Sequence, residues 1–170
     1  FYGGLWGLVE ATLGYLLHLW GRAAPVPGLA GFLLFPLAFL FMYRAWRASG
    51  RAAAVPAAAV VAAAAKAASA LVPGVGLEFV ANPVLAILAE GAVLFLGLRL
   101  LDFRPGRLLP AGLLAVSLGW RLLFLGLVAL RPLHQGILAK GPQALLGFLL
   151  LEPAVNTLLL ATLAWMRLPS

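Results

Sequence analysis

Runs of about 20 mostly apolar residues, the length a helix needs to cross a bilayer core of about 30 Å, recur six times in this chain. They cover approximately residues 3–20, 28–46, 52–72, 82–101, 108–130 and 142–167. Between them stand GRAAPVPG, RASGR, PGVGLEFVANP, DFRPGR and RPLHQGILAKGP, whose Pro, Gly and charged residues break helices. Backbone polar groups in lipid must be satisfied within the protein, which leaves helices or closed barrels. Barrel strands show short alternating segments, whereas these runs are continuous. The pattern predicts an all-α polytopic membrane protein with six transmembrane helices, forming a single transmembrane domain over residues 1–170. Composition agrees. With 10% charged residues against 64% hydrophobic ones and a mean hydropathy of +1.07, the chain lacks the charged skin of a soluble domain.

The formal net charge of +7 is spread over the breaks rather than gathered in a patch, so it suits membrane orientation and not nucleic-acid binding. Arg44, Arg47, Arg51, Arg99, Arg104, Arg107 and Arg167 follow the second, fourth and sixth runs, while Arg22, Arg131 and Lys140 follow the first, third and fifth. Basic residues are retained on the cytoplasmic side. The expectation is therefore that both termini are cytoplasmic and that the protein resides in the cell's inner (cytoplasmic) membrane. The first run has no basic region before it and carries a glutamate, unlike a signal peptide. The chain begins at Phe1 rather than Met, so further residues are expected to precede it.

Away from their ends, the runs hold five charged residues: Glu10, Lys66, Glu90, Arg121 and Glu152. Counting along the helices at about 1.5 Å per residue puts all five at middle or outer depth. A lone charge in lipid is costly, so such groups pair, face a cavity or neutralise. Three acids and two bases on five helices form a nearly balanced set, in which Glu10 pairs with Lys66 or Arg121. Trp6, Glu10, Gly14 and His18 share one helix face, with Gly3, Gly7 and Ala11 as a small-residue stripe beside it. Glu152 and Asn156 lie one turn apart, and Pro153 frees a carbonyl near them. The third run, AAAVPAAAVVAAAAKAASALV, is mostly alanine. It is weakly hydrophobic but allows close approach, which places it between helices. Trp20, Trp46 and Trp165 sit at run ends, where tryptophan anchors to the interface.

Two readings of the charged set stand side by side. The residues line a ligand cavity, or they pair only to fix helix register. No motif of metal, nucleotide or acyl-transfer chemistry is present. There are no cysteines, the only histidines are His18 and His134, and Asp102 is the sole aspartate. A histidine-rich metal site and an aspartyl intramembrane protease are thereby excluded, and no cofactor is expected. Two other classes remain open. One is a structural or assembly subunit of a larger membrane complex. The other is a small enzyme acting on a lipid with Glu10 or Glu90 as general base.

Six helices, about 170 residues and cytoplasmic termini resemble the S-component, the substrate-binding membrane subunit of an energy-coupling factor (ECF) vitamin transporter. FPLAFLFMYRAWRASGRAAAVPAAAVVA is similar to that family's passage from second to third helix. NPVLAILAEGAVLFLGLRL is similar to its fourth helix and EPAVNTLLLATLAWM to its sixth. The resemblance implies capture of a small vitamin-like solute in the outer half of the bilayer. It also implies partners, namely a transmembrane coupling subunit contacted through Gly3, Gly7 and Ala11, and two ATPases. On this reading Glu90, Arg121, Glu152 and Asn156 floor the pocket, and His18, Trp20 and the 73–81 loop cover it. Arg121 and Lys66 are then placed to hold a ligand carboxylate, and the glutamates a cationic or hydrogen-bond-donating ring.

Overall fold

The computed structural model describes residues 1–23, 29–73, 75–101, 110–130 and 136–165. These residues are helical nearly throughout and include no strand. Helix α1 runs Tyr2–Ala23, α2 Leu29–Ser49, α3 Ala54–Ala67 with a 3₁₀ turn Ala68–Leu71, α4 Glu78–Leu100 and α5 Pro110–Ala129. A 3₁₀ turn, Gly136–Lys140, then leads into α6 Pro142–Leu146, a π-helical turn Gly147–Leu151 and α7 Glu152–Trp165.

Among the described residues, four segments are long and apolar enough to cross a membrane: Ala54–Leu71, Phe79–Leu100, Pro110–Ala129 and Pro142–Leu163. Helices α1 and α2 are of similar length, 22 and 21 residues. The distribution of side chains is inverted relative to a soluble protein. Leu8, Leu16, Val60, Leu122, Leu150 and Leu158 are each more than half exposed, while Glu10, Lys66, Glu90, Arg121, Glu152 and Asn156 are buried. An apolar exterior with charged groups held inside an otherwise apolar core suits lipid better than water.

Helix α3 packs on α1 and α4, α4 on α5, and α5 on α7, while α2 touches α1, α3, α4 and α7. The alanine-rich α3 is thus an interhelical element, as its composition predicts. It can be one because its neighbours supply glycine. A Cβ at Gly3 would lie 2.6 Å from the Ala58 carbonyl oxygen, one at Gly7 would lie 2.5 Å from Ala65 Cβ, and one at Gly91 would overlap Ala59. This corrects the expectation for the stripe Gly3, Gly7 and Ala11. Gly3 and Gly7 are buried and Ala11 is half-buried. At Gly3 and Gly7 the surface expected to face a partner is filled by α3 of the same chain.

Two features place the later helices. Gly50, at φ 66°, ends α2 with its N–H donating to the Trp46 carbonyl at 2.8 Å, a left-handed cap that glycine adopts without strain. In the last segment, Pro153 has no N–H and its ring crowds the carbonyl four residues back. The helix widens there, and the Glu152 N–H donates to the Gly147 carbonyl five residues earlier. The freed carbonyl expected near Glu152 therefore comes with a π turn that sets where the Glu152 side chain points.

Candidate functional site

Arg121 is the centre of the site. It is fully buried on α5. Its Nη1 donates to the Ser117 carbonyl at 2.7 Å and to Ser117 Oγ at 2.8 Å. Its Nη2 donates to Glu152 Oε2 at 3.1 Å, an ion pair across to α7. The guanidinium lies 4.5 Å from the Trp120 ring centroid, 5.3 Å from Phe148 and 5.6 Å from Phe35. Aromatic faces attract a cation, and more so once water is excluded. Sequence reasoning missed Ser117, although its four-residue spacing from Arg121 puts both on one face. It also missed Phe35 and Phe148, which come from other helices and leave no local signal.

Glu152 reaches Arg121 through a gap that a glycine keeps open. A Cβ at Gly31 on α2 would overlap the Glu152 carboxylate. One turn along α7, Asn156 Nδ2 donates to the Gly31 carbonyl at 3.2 Å. One small residue on α2 therefore meets both polar side chains of α7. Gly31→Ala is expected to cost about 1–3 kcal/mol, as overpacking usually does. Adding Glu152→Asp should not recover that loss in thermal unfolding, since the oxygen that the new Cβ would meet is the one paired with Arg121. Equal stability of Gly31→Ala and wild type would show that the gap is not needed.

On the other side of the bundle, Lys66 is buried on α3 and its Nζ donates to the backbone carbonyl of Glu10 at 3.2 Å. The Glu10 carboxylate receives the Trp6 indole N–H at 3.4 Å. Of the two partners open to Glu10, Lys66 is the near one, and it bonds the main chain rather than the carboxylate. Glu90, buried on α4, lies within electrostatic reach of both Glu10 and Arg121, so it links the two halves of the set.

Hydrogen bonding in this region is incomplete. Glu90 Oε2, Trp120 Nε1, Arg121 Nε, Asn156 Oδ1 and Thr157 Oγ1 are buried with no hydrogen-bond partner among the described residues. Leaving such a group unsatisfied costs about 1–3 kcal/mol each, more when charged, so their concentration on α4, α5 and α7 needs an explanation. No group of three or more metal-ligating side chains occurs among the described residues. A recess of about 180 Å³ between α4 and α5, lined by Val93, Leu96, Gly97, Leu100, Leu101, Ala115 and Val116, is apolar and contains none of the charged set. Trp20 is 62% exposed. The side chain of His18 and residue 74 of the 73–81 loop lie outside the described residues.

No protein-family model matches the chain, and no curated protein or solved structure matches it.

Proposed function

We propose that this protein is a substrate-capture subunit of the cytoplasmic membrane that binds a small solute among Glu90, Arg121, Glu152 and Asn156, as the S-component of an ECF-type importer does. Its helices cross the membrane six times with both termini in the cytoplasm, a transmembrane coupling subunit and ATPases supply the energy, and the solute is vitamin-like. The observation that carries the reading is the set of buried donors and acceptors on α4, α5 and α7, Arg121 Nε among them, that have no partner among the described residues. A protein that needed these residues only for packing would gain by pairing them or replacing them with apolar ones. A ligand that supplies the missing partners explains why polar atoms stand there unpaired.

A structural or assembly role is favoured by one observation: Arg121 and Lys66 both find bonds inside the chain. Native mass spectrometry of the protein extracted in mild detergent separates the readings. Solute capture predicts a bound small molecule and co-purifying ATPase subunits. A bare subunit associated with other membrane proteins would replace it with the assembly role.

The topology has its own test. Cysteine introduced at Ser170 should resist a membrane-impermeant maleimide in intact cells, and cysteine at Gly136 should react. Labelling of the Ser170 position from outside would reverse the orientation read from the arginines.

A further inference from the structure

The charged set of the bundle is unbalanced, and the pairing pattern shows where the imbalance falls. Among the described residues the buried ionisable groups are three carboxylates, Glu10, Glu90 and Glu152, and two bases, Lys66 and Arg121. One acid is therefore in excess. Arg121 spends both of its Nη groups on Glu152 and Ser117, and its Nε is without a partner among the described residues. Lys66 is held at Glu10. Glu90 remains. It is 5% exposed, its Oε2 has no hydrogen-bond partner among the described residues, and its charged neighbours are another carboxylate, Glu10, and the already engaged Arg121. A second buried acceptor, Asn156 Oδ1, is also unpartnered, on a side chain that is fully buried.

We infer that the solute is a small organic cation, whose positively charged, hydrogen-bond-donating nitrogen is held by the Glu90 carboxylate. This inference rests on the solute-capture reading and specifies the class of ligand. A cation at Glu90 restores charge balance in the bundle and supplies the donor that Oε2 lacks. A charge-assisted hydrogen bond formed away from water is among the stronger polar contacts available. A bound metal ion fits less well, since no cluster of three or more His, Cys, Asp or Glu side chains exists among the described residues to complete its coordination.

Acetamidinium and acetamide make a matched pair of probes, being planar and close in size but different in charge. Each is titrated into the purified protein in detergent at fixed ionic strength, and the unfolding temperature is followed. A ligand that binds only the folded state raises it saturably. Acetamidinium should do so and acetamide should not. Glu90→Gln should raise the half-saturating acetamidinium concentration about tenfold or more, the loss of one charge-assisted contact. If Glu90→Gln does not fold, Glu90→Asp decides. It should keep the preference for acetamidinium while shifting half-saturation, and an unshifted titration would overturn the role of Glu90. Equal responses of the wild type to the two probes would overturn the inference, as would a co-purified solute without a basic nitrogen. A solute found by native mass spectrometry together with equal probe responses would leave solute capture standing and remove only the cation. No solute and no probe response would remove both.

Discussion

Glu152→Leu, made alone, should destabilise the protein by about 3–5 kcal/mol, the usual cost of removing one member of a buried ion pair. The loss arises from what is left behind. Arg121 is fully buried, and a guanidinium cannot shed its charge by losing a proton. Its remaining bonds to Ser117 and its contacts with Trp120, Phe148 and Phe35 lower the cost but bring no negative charge. The double variant Arg121→Leu, Glu152→Leu should recover most of the loss, since a buried pair replaced by apolar side chains is often neutral or stabilising. Thermal unfolding followed by circular dichroism in detergent measures both. A single variant as stable as wild type, or a double variant worse than the single, would refute the account of the pair. The double variant also separates stability from function. On the capture reading it folds and loses the co-purifying solute, whereas a purely structural pair leaves any such binding intact.

The charged residues were legible in the sequence because lipid makes them conspicuous. Glu10, Lys66, Glu90, Arg121 and Glu152 stood out against apolar runs, and all five are buried. The type and approximate limits of the helices were legible for the same reason, since six uninterrupted apolar runs admit little but helix. Pairing was not legible. Whether Arg121 turns to Glu90 or to Glu152 depends on the rotation of α4 and α7 about their axes, and the π turn at Gly147–Leu151 shifts that rotation in α7. Pro153 announced a disturbed backbone but not its width. The bond from Lys66 to a main-chain carbonyl was hidden because every residue carries such an acceptor. Gly31 was the least visible of all. Nothing beside it in the sequence marks the place where a carboxylate from a helix more than a hundred residues away comes to rest.

The small-residue stripe shows how a correct local reading can name the wrong neighbour, and it yields the second large effect. Glycine at positions 3 and 7 signals close approach of another helix, yet the signal is the same for a helix of this chain and for one of a partner. Here the neighbour is α3, which presents the Ala58 backbone at Gly3 and, at Gly7, the rigid Ala65 Cβ with the Ala62 backbone behind it. A flexible side chain can swing away from an intruding Cβ, but a helix backbone cannot, so the helices themselves must separate. Gly7→Leu should therefore unfold the protein or cost at least the 1–3 kcal/mol, approximately, of ordinary overpacking. Gly91→Leu, against Ala59 on the other side of α3, should do the same. Two opposing terms can be compared directly. Replacing a helical glycine gains up to about 1 kcal/mol of helix propensity, which is smaller than the packing loss at these positions. Gly4 and Gly126, where a Cβ meets nothing within 4 Å, retain only the gain. Gly4→Leu and Gly126→Leu should thus be neutral or slightly stabilising in the same unfolding measurement. If Gly7→Leu keeps wild-type stability and only releases a co-purifying subunit, then α3 does not occupy that face in the membrane and the stripe returns to being a partner surface.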